Sequence, residues 1–75
     1  MVNFRLIGPF VKIAGFREKE IIIDAPKALK TFEFILKFEP LYERMIILVN
    51  GESGTIETVV SNDDKVKILP VIGGG

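Results

Sequence analysis

The chain has 75 residues, with 10 Lys and Arg against 10 Asp and Glu, and it contains no His, Cys or Trp. One small domain fits that length, and such a domain buries only about 60% of its unfolded surface. Without Cys or His there is no disulfide framework, thiolate nucleophile, zinc ribbon or imidazole base, and the balanced charge lacks the basic excess that binds nucleic acid.

Residues 2–7 alternate, with Val2, Phe4 and Leu6 on one side, which predicts a half-buried strand. Gly8-Pro9 ends it, because Pro has no amide hydrogen to donate and Gly releases the backbone. Residues 10–15 read as a connector with room for a helical turn, closed by Gly15. Residues 18–24 predict a second strand, with Ile21 and Ile23 on one face and Ile22 on the other. Asp24-Ala25-Pro26 has the character of a helix start, with Asp as cap and Pro in the first turn. From Ala28 the spacing changes to three and four. Ala28, Leu29, Phe32, Ile35 and Leu36 fall on one stripe, which predicts a helix stopped by Pro40.

Residues 45–49 are a continuous aliphatic run, as expected of a strand buried on both faces. Asn50-Gly51 is a tight-turn signal. Residues 55–60 read as a short, weaker strand and residues 61–64 as a turn. A last strand over 66–72, with Val66 and Ile68 on one face, runs into Gly73-Gly74-Gly75. The order is strand, strand, helix, strand, short strand, strand. That is an α+β pattern in which one helix covers one face of a mixed sheet of four to five strands. The domain is expected over 1–72 and a glycine tail over 73–75. Met1 to Arg5 has no signal-peptide character, and no apolar run is long enough to span a bilayer, so a cytoplasmic protein without a membrane partner is expected.

Side-chain chemistry is scarce. Ser53 and Ser61 have no His to activate them, and Tyr42 is the only Tyr. Asp63-Asp64 is an adjacent acidic pair, which reads more simply as a turn whose carboxylates bind their own backbone. Gly51-Glu52-Ser53-Gly54 lacks the spacing, the Lys and the helix of a phosphate loop, and reads as a hairpin loop. No catalytic residue and no metal site is therefore expected. What remains is the end of the sequence. Three residues without Cβ extend roughly 10 Å and fit a narrow channel. A terminal carboxylate, ionised above a pKa of about 3.3–3.7, is a poor electrophile. Conversion to an acyl-adenylate with ATP would activate it for attack by sulfur or by an amine. The alternative is an inert, frayed tail.

Three stretches carry a resemblance. Residues 4–15 resemble the opening strand and connector of the ubiquitin-like β-grasp proteins, and Leu48-Val49-Asn50-Gly51 the third strand and its turn. Residues 64–75 resemble their acidic turn, last strand and reactive tail, and this last stretch is the specific one. The chain is most similar to the MoaD/ThiS sulfur carriers, and within them to the small subunit of molybdopterin synthase. The resemblance implies that Gly75 is adenylated and converted to a thiocarboxylate, with Gly74 as its companion. It also implies that Pro70, Val71 and Ile72 form an apolar tail root that docks on partners. Gly73 departs from the pattern, which commonly has two glycines. The implied partners are a ubiquitin-activating-type adenylyltransferase using ATP, a sulfur donor, and the molybdopterin synthase large subunit or another sulfur acceptor. No cofactor is held permanently, and the chain is a carrier and co-substrate rather than an enzyme. The same resemblance fits archaeal ubiquitin-like modifiers, joined through this carboxylate to lysines of other proteins.

Two further expectations concern the surface. Leu69, on the sheet face opposite Val66 and Ile68, would form an apolar docking patch with Pro70 and Ile7 beside the tail. Phe34 and Phe38 lie off the helical stripe, and either pack beneath the 10–16 connector or mark a partner surface.

Overall fold

The alternation at the start of the chain becomes strand β1 (Val2–Leu6), with Val2, Phe4 and Leu6 fully buried and Arg5 exposed. The computed structural model describes residues 1–71. The connector is helix α1 (Pro9–Ala14), begun by Pro9 and ended by Gly15 at φ 86°, where a residue without Cβ costs least. It returns the chain antiparallel along β1 as β2 (Glu18–Ile21), with Val2 opposite Ile21 and Arg5 opposite Glu18. This strand is shorter than the 18–24 expected. Ile23 is buried and Ile22 is 76% exposed, as their opposite faces require.

The expected helix over the following residues is replaced by short pieces. Lys27–Ala28 form strand β3, Leu29–Thr31 a 3-10 turn, Glu33–Leu36 a four-residue helix α2, and Glu39–Arg44 a second 3-10 segment. Three physical reasons account for this. The amides of Leu29 and Lys30 donate to the carbonyls of Thr58 and Ile56, at 2.9 and 2.8 Å, rather than up a helix. Phe32 is extended, at φ −81° and ψ 124°. Its break lets Phe32 and Phe34 both reach the ring of Phe4, at 5.0 and 4.9 Å; residues two apart on an unbroken helix face different ways. Pro40 opens the second 3-10 segment instead of stopping a helix. Leu36, expected in the core stripe, is 53% exposed.

Strand β4 (Met45–Val49) turns at Asn50-Gly51 into β5 (Glu52–Gly54), a stretch expected to be loop. Asn50 and Gly51 both have positive φ, 53° and 84°, as a two-residue hairpin of the type I′ kind requires. Only Ile47 of β4 is buried, so the strand is half covered rather than buried on both faces. The weak strand expected at 55–60 reduces to β6 (Val59–Val60), which pairs with β3 in a separate two-stranded sheet. The last strand, β7 (Lys65–Pro70), enters the main sheet, whose order is β2-β1-β7-β4-β5. β7 runs parallel to β1 and antiparallel to β4, which makes the sheet mixed, with the helical pieces on one face.

The core lies between them and contains Val2, Phe4, Leu6, Phe10, Leu29, Ile35, Phe38, Val66 and Ile68. All six Phe rings are linked by contacts between 4.9 and 6.2 Å. Phe38 stacks edge-on to Phe10 and is a core residue, while Phe34, half-buried, packs against the core through Phe4, Phe16 and Phe38. Each such edge-on pair adds about 0.5–1.5 kcal/mol beyond its buried area. Among the described residues no helix is long and apolar enough to cross a membrane.

Candidate functional site

Strand β7 alternates, and the alternation assigns its residues to two faces. Val66 and Ile68 are buried on the helical side, while Lys65 and Lys67 are exposed on the other. Leu69 therefore projects to the uncovered face, half-buried. Opposite it across the antiparallel pair is Ile46, with Leu48 two residues on, opposite Lys67. Directly opposed residues share a face. Ile7 continues the outward side of β1, and its amide donates to Ile68 O at 2.9 Å. Leu69, Ile46, Leu48 and Ile7 thus form an outward apolar group at the end of β7.

Pro70 does not belong to this group. It shares the face of Val66 and Ile68, opposite Met45, and its ring lies against Gly8. The expected Leu69–Pro70 patch is corrected on that point: consecutive strand residues point to opposite faces. Ile46 and Leu48 were missed. The signal was present, since residues 45–49 alternate between the two faces as the last strand does. Val71, 48% exposed, is the last residue described, and its amide donates to Arg44 O at 2.9 Å. Ile72, Gly73, Gly74 and Gly75, and the domain boundary expected at 72, lie outside the described residues.

Beyond the apolar group, the uncovered face carries a shallow groove lined by Arg5, Glu18, Lys65 and Lys67. Arg5 and Lys67 are cross-strand neighbours, and Arg5 Nε is 3.5 Å from a carboxylate oxygen of Glu18. Two cations, Lys65 and Lys67, project from one strand beside the apolar group.

The acidic pair resolves as turn chemistry. Asp64 Oδ2 accepts from Ser61 N at 2.8 Å and Oδ1 from Asn50 Nδ2 at 2.9 Å. These bonds, the backbone one foremost, hold its carboxyl below the ordinary pKa. Asn50 Oδ1 accepts from Lys65 N, so one side chain ties the β4–β5 turn to the start of β7. Asp63 is turned to solvent at φ 79°. Tyr42 donates its hydroxyl to Ile35 O at 2.9 Å. Burial, and then the neighbouring Glu39 charge, raise its pKa. Among the described residues no group of three or more acidic side chains is gathered to hold a metal.

Comparison with known proteins agrees with this architecture. The model of the ThiS family matches residues 4–75. No curated protein is similar enough in sequence to match. Several solved structures share the fold. The small archaeal modifier protein SAMP1 from Haloferax volcanii superposes with a TM-score of 0.73 at 17% identity, over 99% of this chain and 98% of that one. A Pyrococcus furiosus protein assigned as molybdopterin converting factor subunit 1 gives 0.70 at 20% identity, over 95% and 97%. A chain of the complex of subunits 1 and 2 of molybdopterin-converting factor from Helicobacter pylori gives 0.61 at 22% identity, over 99% and 97%. The mixed five-stranded sheet with helical pieces on one face is the ubiquitin-like β-grasp fold of these neighbours.

Proposed function

The chain belongs to the ThiS family, and from that membership we propose that it is a sulfur carrier whose reactive group is the main-chain carboxylate of Gly75. A ubiquitin-activating-type adenylyltransferase docks the uncovered face. A carboxylate oxygen of Gly75 attacks the α-phosphorus of ATP and releases pyrophosphate. Hydrosulfide delivered by a sulfur donor then attacks the acyl carbon and expels AMP, and loss of the sulfur-bound proton to solvent leaves a thiocarboxylate. The adenylyltransferase supplies the catalytic groups, and this chain supplies the substrate. The acceptor favoured is a molybdopterin precursor held by a large synthase subunit, a reading supported by the fold shared with the subunit 1–subunit 2 complex.

The observation that carries the reading is the succession at the end of β7. The strand is held by β1 as far as Ile68 and by β4 and the Arg44 carbonyl as far as Val71, beside an outward apolar group, and the next residues are Ile72-Gly73-Gly74-Gly75. The family match runs through all four. Docking then has a surface, and the glycines have the slenderness to enter a channel. Leu69, Val71 and Ile72 act at the root, and Gly73, Gly74 and Gly75 in the channel.

A second reading has its own support in the modifier SAMP1, which shares the fold at the highest of the TM-scores given above. Attack on the adenylate by a lysine amine instead of sulfur would join Gly75 to another protein through an isopeptide bond.

Deleting Gly75 or adding one residue after it tests the shared first step. Either change is expected to abolish ATP–pyrophosphate exchange with the adenylyltransferase while leaving the melting curve in place. Undiminished exchange would sink the carboxylate reading. Intact mass from native cells separates the two fates: a sulfur-for-oxygen gain on Gly75 marks the carrier, and glycine remnants on lysines of other proteins mark the modifier.

A further inference from the structure

We infer that Gly8 and Pro70 form a clamp that sets the direction in which the chain leaves the sheet, so that Gly8 is a positioning residue for the reaction at Gly75. The inference rests on the reading of Gly75 as the reactive end. Gly8 follows the outward-facing Ile7 and begins the turn into α1, at φ 71° and ψ −140°. Only a residue without Cβ takes that combination of φ and ψ cheaply. The absence of Cβ has a second use at this position. A Cβ here would lie 3.1 Å from Pro70 Cγ and 3.3 Å from Pro70 Cδ. The Pro70 ring therefore rests directly on the Gly8 backbone.

The other side of the strand is held as well. Pro70 is opposite Met45, and Val71 N donates to Arg44 O at 2.9 Å. Proline fixes its own φ near −65°, which removes one rotation at the point of exit. The chain thus leaves through a gap bounded by Gly8 on one side and the Arg44 carbonyl on the other. Four residues remain in the sequence beyond Val71. Fully extended they would reach roughly 13 Å at most, so for a tail threaded into a partner's channel a shift of about 1 Å in where the chain leaves the sheet is a shift of about 1 Å in how far Gly75 can reach. A displacement of that size at a reacting atom costs up to about a hundredfold in rate.

The test compares Gly8→Ala, Pro70→Ala and the double variant with the parent chain. Adenylation is followed by ATP–pyrophosphate exchange, with the parent chain or variant as the varied substrate. Because the chain is the substrate, partial unfolding only lowers its effective concentration and raises the apparent KM. A misdirected tail instead lowers kcat after docking. The expected result is a fall in kcat of about tenfold to a hundredfold in each single variant, with KM within about twofold. The double variant is expected to be no worse than the poorer single one, because both changes disturb one contact. Without any enzyme, the Val71 amide is expected to exchange with solvent about tenfold faster in both single variants, while the Ile7 amide keeps its protection. The clamp is overturned by Val71 exchange at the parent rate, by additive losses, or by losses confined to KM. Failure of the parent chain itself to be adenylated would overturn the reading of Gly75, and with it the catalytic role of Gly8.

Discussion

On the covered side of the sheet, six phenylalanine rings touch in a connected group, and Phe4, Phe10 and Phe38 have no exposed surface. On the uncovered side, Leu69, Ile46, Leu48 and Ile7 lie half-buried beside Lys65 and Lys67. The same strands build both regions, offset by a single residue. Ile68 belongs to the core, and Leu69 to the surface proposed for docking. A strand that serves both purposes separates them by its pleat, so neighbouring substitutions should fail in different ways.

The largest effect is expected in the core. Phe38→Ala should cost about 3–5 kcal/mol, through lost burial and the cavity left behind. A single core in a domain this small rarely supplies more than about 3–5 kcal/mol, so denaturant titration should find the variant largely unfolded or close to it. Leu69→Asp, on the other face, should shift that titration much less, by about 1 kcal/mol, because Leu69 is only half-buried although its strand is central. It should nevertheless cut kcat/KM for adenylation about thirtyfold, as loss of a central interface anchor of about 2 kcal/mol would. A stable Phe38→Ala, or an unimpaired Leu69→Asp, would break the division of labour between the faces.

Smaller effects should sharpen it. Asn50→Ala removes two side-chain hydrogen bonds and places Ala at a positive φ, which should cost about 1–2 kcal/mol in urea titration, with no change in adenylation. The smallest effect is that of pH. The carboxyl pKa of Asp64 is lowered in the folded state, so its contribution is present above the unfolded value and is lost as pH falls through the folded one. Melting temperatures should therefore decline on acidification below about pH 4, and Asp64→Asn should decline less.

These regions were not equally legible in the sequence. The strands at 2–6, 45–49 and 65–70 and the Asn50-Gly51 turn follow from local signals: period two, β-branched runs and a dipeptide that accepts positive φ. The outward position of Leu69 followed from the same period. The helical segment did not, because Leu29, Phe32 and Ile35 keep helical spacing and are all buried although no continuous helix joins them. The break is dictated by partners distant in sequence, the carbonyls of Ile56 and Thr58, and by two aromatic residues that must enter one core from positions two apart. Pro70 adjoins Leu69 in sequence, but the pleat turns it away from the docking surface and toward Gly8. Glycine at position 8 read only as a strand end. Its contact with Pro70 joins residues more than sixty apart, and no local pattern carries that.

The central place of β7 also bears on how the protein is made. The first strand and the last are parallel neighbours in the middle of the sheet, and β4 is attached to β1 only through the last. On the ribosome, residues 2–6 must wait for residues 65–70 before the sheet can close, which makes folding non-local and late. A nascent chain cut short before residue 65 would lack the strand that joins the two halves, and would be cleared as unfolded material. A chain long enough to close the sheet has therefore been translated through β7, to within a few codons of Gly73-Gly74-Gly75.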